Sequence, residues 1–370
     1  MPAKLKIEDI AIGQLMETTF WVNPVKESKF PFRATHLNGK KAPKVILSDD
    51  PAIRPGIPCL VKIEAIKKAD RDDRGQIEVS LHRLLDFNIK GVYMDPVVSL
   101  KLQILLESGL NILLDGPQGC GKTVLARSIA DSLGMEFIFF NCSAVIEATD
   151  FLATLQVVSE DGQTVTRFIK TDVLTALEEA SEHPRRKYLI FFDEFNRCPE
   201  SARNALMPVL DHSRRILNPV NNSFMKIEDN IQFIAAVNRG NEFSGTFGID
   251  AAQLDRFAPL QMGYPPFEAE VGLMMERHPE ISKARISQVV KIANRVRSSR
   301  ELNKGLSVRA TDETCIYLKH PLLETNANKM LPEILKSAFC GRFPGRWDDP
   351  HSEAGLVWSI IKGEVDKSVE

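Results

Sequence analysis

The stretch NILLDGPQGCGKTVLARSIADSLG, residues 111–134, decides the fold. Asn111 to Asp115 read as a short apolar strand, and the residues from Val124 to Gly134 as a helix closed by a glycine. Between them Gly116-Pro117-Gln118-Gly119-Cys120-Gly121-Lys122-Thr123 fits the spacing G-x-x-x-x-G-K-[ST]. The glycines let backbone N–H groups turn inward on phosphate oxygens, and the following helix presents the positive end of its dipole. Lys122 then reaches the β- and γ-phosphates of ATP, and the Thr123 hydroxyl is placed to bind Mg²⁺. Eight residues of this pattern also occur as an ordinary glycine turn; the flanking strand and helix select the phosphate-binding P-loop. The expected nucleotide contacts are Gly116, Pro117, Gln118, Gly119, Cys120, Gly121, Lys122, Thr123 and Val124.

Outward from the P-loop, helical and strand patterns alternate from Asp95 onward, which predicts an α/β fold with a parallel sheet. Pro96 to Ser108 is an amphipathic segment; Glu136 to Asn141, Tyr188 to Asp193 and Ile231 to Asn238 are expected to be buried strands. The strand at Tyr188 ends in Asp193-Glu194, a carboxylate pair with divided labour. Asp193 would hold Mg²⁺, and Glu194 would polarise the attacking water. Seen alone, such a pair could merely end a strand at the surface; behind a P-loop it reads as Walker B. Asn238 puts an amide at the carboxyl edge of the sheet, where ligands bind in open α/β folds. Two arginines, Arg256 near the end of a short helix and Arg309 at a helix start, are candidate cations for transferred phosphate, although a lone arginine is usually a surface charge.

Composition narrows the classes. At roughly 150 residues per domain, 370 residues suggest two to three domains. A 44% hydrophobic content supports a sizeable core, and 47 Lys plus Arg against 49 Asp plus Glu leaves a net charge of -2, so any nucleic-acid contact would be a local patch. No apolar run reaches the ~18 residues that span a bilayer, and MPAKLKIEDIAIGQ lacks the apolar segment of a signal peptide. A cytoplasmic location with no membrane contact is expected. Six cysteines show no spacing of a zinc ribbon, redox dithiol or disulfide framework. Cys120 reads as a small loop filler, with an oxidation-sensitive thiol as the alternative.

Residues 1–88 differ from the rest and read as a small β domain of OB-like or SH3-like type. Strands are expected at Met16 to Val22, Phe32 to Thr35, Lys44 to Leu47, Pro58 to Ile66 and Gln76 to Leu81. Over residues 1–90, 16 Lys plus Arg against 12 Asp plus Glu give an excess of +4. Lys40, Lys41 and Lys44 with Trp21, Phe30 and Phe32 could serve single-strand binding; barrel aromatics more often fill the core, and a protein-docking role is the stronger reading. Residues 89–265 form the expected ATPase domain. Residues 266–370 carry helical periods only and read as a lid, with Lys291, Arg295, Arg297, Arg300 and Lys304 as a solvated face and Trp347 packed on the lid or serving as a docking loop.

Taken together, the P-loop, Asp193-Glu194-Phe195-Asn196-Arg197, Val237-Asn238-Arg239-Gly240, Leu254-Asp255-Arg256-Phe257 and Ser307-Val308-Arg309-Ala310-Thr311 resemble an AAA+ ATPase of the MoxR-like, helix-2-insert group over about residues 90 to 320. The resemblance implies that Asn238 takes the sensor 1 role, Arg256 the finger acting on a neighbouring subunit, and Arg309 the sensor 2 role. Arg239 is a rival for the finger. It also implies a homo-oligomeric, hexameric ring and two pore-facing hairpins, matched here by Leu155 to Phe168 around Asp161-Gly162 and by Ile216 to Ile227 around Asn221-Asn222; ordinary surface loops are the alternative. The expected activity is ATP hydrolysis with Mg²⁺, coupled to remodelling of a protein client. A nucleic-acid motor or the ATPase of a defence complex is the alternative, and a nucleotide switch with slow turnover is disfavoured by Glu194. The amino-terminal β domain is a departure from that family pattern.

Overall fold

The computed structural model describes residues 11–22, 32–34, 44–47, 58–67, 76–84, 89, 91–160, 163–238, 247–320 and 327–366. Five strands come first: β1 (Leu15–Val22), β2 (Phe32–Ala34), β3 (Lys44–Leu47), β4 (Pro58–Lys67) and β5 (Gln76–Leu84). Their order is β2-β1-β4-β5-β3, with β3 parallel to β5 and the other neighbours antiparallel. The edge strands β2 and β3 approach one another, so the sheet curls into a partly open Greek-key barrel, as OB-type domains do. Register shifts between β4 and β5 supply curvature. Val61, Ile63, Ile77 and Val79 point inward and are buried, while Lys62 and Glu64 alternate outward. Lys40, Lys41, Phe30 and the Asp161-Gly162 turn lie outside the described residues, as does anything concerning the side chains of Trp21, Phe32 and Lys44.

Next come α1 (Pro96–Glu107), β6 (Ile112–Asp115), α2 (Lys122–Leu133), β7 (Glu136–Asn141), the hairpin β8 (Ala153–Glu160) and β9 (Gln163–Lys170), α3 (Asp172–Glu182), β10 (Tyr188–Asp193), α4 (Glu200–Asn204) and α5 (Met207–Leu210). A second hairpin, β11 (Arg215–Asn218) and β12 (Ser223–Lys226), precedes β13 (Ile231–Val237), α6 (Ala251–Leu254) and β14 (Ala258–Gln261). Five of these strands form one parallel sheet in the order β14-β6-β13-β10-β7. Its central strands are apolar on both faces because helices cover both. Ile190, Phe192, Phe233 and Ala235 face a core shared with α3; Leu189, Phe191, Ile234 and Ala236 face the opposite core with α1 and α2. The expectation of a buried strand at Glu136 to Asn141 is corrected here: β7 is an edge strand, and its residues alternate between exposed and half-buried.

The remainder is helical, in α7 (Phe267–Arg277), α8 (Lys283–Arg297), α9 (Val308–Leu318), α10 (Ala327–Leu335), a π-turn at Lys336–Cys340 and α11 (Glu353–Asp366). Val289, Val290, Val296, Leu335 and Phe339 make its own core. One member of the expected solvated face behaves differently. The Arg297 side chain is only 7% exposed and donates from Nη2 to the buried Glu270 Oε1 at 2.9 Å, where Thr311 Oγ1 also donates at 2.8 Å. A buried carboxylate is tolerated only with such partners. Trp347 is not isolated either: its ring meets Trp358 edge-on at 6.1 Å, with the Lys336 ammonium 4.3 Å from its centroid. No helix among the described residues is long and apolar enough to cross a membrane.

Candidate active site

The strand order sets the site. Because β13 runs between β6 and β10, the residues that follow these three strands meet at one carboxyl edge: the P-loop, Asn238 and the Asp193-Glu194 pair. Two glycines are needed by their surroundings as well as by the loop. Gly119 has φ +73°, and a Cβ there would come 2.4 Å from Ser307 Cβ; Gly121 has φ +104°, and a Cβ would lie 2.7 Å from Val92 Cγ2. Both are left-handed positions that other residues rarely occupy.

Lys122 is buried and donates to Asn238 Oδ1 at 2.7 Å, Gly116 O at 2.7 Å and Pro117 O at 3.0 Å. Burial holds its ammonium below the ordinary lysine range, with nearby Asp193 and Asp115 opposing that shift and Arg309 adding to it. Thr123 Oγ1 donates to Asp193 Oδ2 at 3.2 Å, and the Glu194 N–H donates to Asp193 Oδ1 at 3.0 Å. Glu194 leaves β10 with φ +53°, a sharp left-handed exit. Burial pushes the Cys120 thiol up, which makes it a poor nucleophile and suits the filler reading.

Cys120, Lys122, Thr123, Asp193, Glu194 and Asn238 border a cavity of about 180 Å³ that also takes in Gln118, Gly119, Gly121, Val124 and, from the helical region, Arg309, whereas Gly116 and Pro117 do not line it. Further lining residues outside any recognisable motif include Val92, Tyr93 and Arg277. Arg277 donates to Gly91 O at 2.8 Å, joining the end of α7 to the segment that enters the core. Tyr264, just ahead of α7, also meets the P-loop, its hydroxyl donating to Gln118 O at 3.1 Å.

Arg256 is not brought to this cavity. It precedes β14, which runs parallel to β6, so it lies at the amino edge while the P-loop lies at the carboxyl edge. Four residues of strand separate the two by roughly 13 Å. There Arg256 Nη1 donates to Ala252 O at 2.6 Å and Nη2 stands 3.9 Å from Asp211 Oδ2. A cleft of about 1090 Å³ opens beside it, lined also by Asn111, His212, Arg214 and Asp229. That cleft is the larger of the two but contains none of the phosphate-binding loop. Arg239 lies outside the described residues.

The fold also pairs two thiols that are distant in sequence. Cys142, directly after β7, lies near Cys198, just beyond Asp193-Glu194-Phe195-Asn196-Arg197, whose Sγ donates to Phe195 O at 3.3 Å. Burial pushes the Cys142 thiol up, whereas the neighbouring Cys142 thiol and the Arg203 cation pull Cys198 down.

Residues 111–257 match the family model for the AAA domain, dynein-related subfamily. The chain is 30% identical over 179 residues to an uncharacterized protein of Staphylococcus saprophyticus, covering 48% of this chain and 64% of that one, just under two thirds of its length. It is 24% identical over 225 residues to the uncharacterized protein YojN of Bacillus subtilis, covering 60% and 71%. Among solved structures, the Thermotoga maritima RuvB Holliday junction branch migration motor superposes with a TM-score of 0.44 at 14% identity, over 68% of this chain and 72% of that one. With its P-loop, its acidic pair and its parallel sheet in place, the segment 111–257 is an AAA domain with an α/β P-loop core.

Proposed function

We propose that the protein is a ring-forming, Mg²⁺-dependent ATPase of the MoxR-like group that couples ATP hydrolysis to remodelling of a protein client. The observation that carries this reading is the division of motif residues between the two edges of one sheet. Lys122, Thr123, Asp193, Glu194, Asn238 and Arg309 border one cavity, while Arg256 sits at the far edge. An arginine so placed can reach a transferred phosphoryl group only in another copy, and a head-to-tail contact that closes on itself makes a ring. Six subunits is the number the family resemblance implies. In this reading residues 1–88 choose partners, 89–265 hydrolyse ATP and 266–370 act as the lid.

The chemistry follows from the side chains. Lys122 and the loop N–H groups bind the β- and γ-phosphates, and the Asn238 amide positions the attacking water. Glu194 takes the water's proton as the new oxygen–phosphorus bond forms and the bond to ADP breaks, giving ADP and phosphate. Arg309 from the lid and Arg256 from a neighbour offset the charge on the transferred group. Thr123 and Asp193 offer the hard oxygen donors that suit Mg²⁺, which when bound withdraws charge from the phosphate oxygens.

The two hairpins favour a polypeptide client. Leu155 and Val157 on β8 are 62% and 70% exposed, and Phe224 on β12 is 72% exposed. Exposed apolar side chains along the hairpin arms suit an unfolded chain, whereas a phosphate backbone is gripped chiefly by cations. A nucleic-acid motor is the second reading, favoured by the OB-like strand order of β1 to β5. Tagged Glu194→Gln protein loaded with ATP and Mg²⁺ separates the two. A protein that stays bound after nuclease and leaves when ATP is removed supports client remodelling; nucleic acid lost with nuclease or high salt supports the motor.

A further inference from the structure

We propose that Arg197 is a positioning residue for hydrolysis, acting through Glu194 by holding one carboxylate oxygen so that the other faces the attacking water. This rests on the water-polarising role proposed for Glu194. Arg197 Nε stands 3.2 Å from Glu194 Oε2, both side chains being largely shielded. Glu194 lines the nucleotide cavity and Arg197 does not, so the cation approaches the carboxylate from behind the site.

The turn that carries the pair is fixed at every residue. Glu194 sits at φ +53°, a conformation that persists in a non-glycine residue only where the surroundings enforce it. Phe195 is fully buried against Phe192 and Phe257. The buried Asn196 side chain donates from Nδ2 to Asn238 O at 2.9 Å, and the Asn196 backbone carbonyl accepts from Phe247 N at 2.8 Å. The Arg197 N–H donates to Glu194 O at 2.8 Å, closing the turn. Arg197 therefore projects from a turn locked onto the strand that ends in Asn238, and its charge reaches the flexible Glu194 side chain at a set place.

The contact is an ion pair: Nε–H has no aligned hydrogen-bond acceptor among the described residues. Its action is thus mainly electrostatic, and a lysine, which keeps the charge without the fork, should replace part of it. Holding a reacting group in place is worth much of its rate, since a misplacement of about 1 Å can cost about a hundredfold.

The test is steady-state ATPase kinetics of the full chain, with nucleotide affinity and thermal stability measured on the same preparations. Arg197→Ala should lower kcat roughly tenfold to a hundredfold with KM and nucleotide affinity held within about twofold. Arg197→Lys should recover part of the loss, and Glu194→Gln/Arg197→Ala should be no slower than Glu194→Gln alone. An unchanged or raised kcat in Arg197→Ala overturns the proposal, as does a loss that tracks lowered stability or a further additive loss in the double variant. If Glu194→Gln itself turns over like the wild type, the role of Glu194 fails and this inference falls with it; if that variant stalls and Arg197→Ala is normal, only this inference fails.

Discussion

The two edges of the parallel sheet differ in how their polar groups are satisfied. At the carboxyl edge, Lys122, Asn238, Thr123 and Asp193 bond to one another from three neighbouring strands. At the amino edge, the Arg256 guanidinium bonds to Ala252 O and, more loosely, meets Asp211, with its Nε buried and lacking a partner among the described residues. The first edge is a set of groups that define one another's positions. The second presents a cation whose local contacts leave part of its donor set unused, which suits an arginine working against another surface.

This contrast can be broken by experiment, beginning with the carboxyl edge. Lys122→Ala should abolish nucleotide affinity and turnover together, measured by fluorescent-nucleotide binding and phosphate release; a variant that hydrolyses normally would remove the P-loop assignment. Arg256→Ala should lower turnover by about 10³-fold or more while leaving nucleotide affinity intact. Mixing it with Lys122→Ala subunits should restore some activity, since each supplies what the other lacks. Failure to complement in an intact mixed ring moves the finger to Arg239 or another arginine. Glu194→Gln should bind ATP and assemble yet turn over about 10²- to 10⁴-fold more slowly.

The smallest expected effect sharpens the amino edge. The Arg256–Asp211 pair is partly exposed and 3.9 Å apart, so Asp211→Asn should shift unfolding free energy by no more than about 1 kcal/mol. Chemical denaturation measures this directly. A loss above about 2 kcal/mol would mean that the cleft depends on the pair and that Arg256 is a structural residue.

What could be read without the fold was whatever repeats locally. The strands Tyr188–Asp193 and Glu136–Asn141 coincide in their bounds with the sequence expectation, because apolar runs bounded by polar residues need no knowledge of their neighbours. The burial of β7 was not legible, since only sheet order says which strand is an edge. Arg297 looked like one more basic residue on a solvated helix; its partner Glu270 lies on a different helix, and nothing in the spacing of α8 announces it. Arg277, Val92 and Tyr93 join the cavity only through tertiary packing. Arg197 had a faint signal, a cation three residues after an acid, a spacing that lets the two meet on one turn.

Glu178 on α3 carries a mechanical consequence. Its Oε2 accepts from Lys170 at the base of the β8–β9 hairpin at 2.6 Å, and its Oε1 accepts from Asn218 at the turn end of the β11–β12 hairpin at 3.3 Å. Asn230, just ahead of β13, donates to Ala180 O on the same helix at 3.1 Å. Helix α3 thus ties the base of one hairpin to the turn of the other, and the helix is itself pinned to the start of β13, the strand that leads into Asn238. A pull on either hairpin loads the same helix, and β13 is the rigid element that continues from it to the amide beside Lys122.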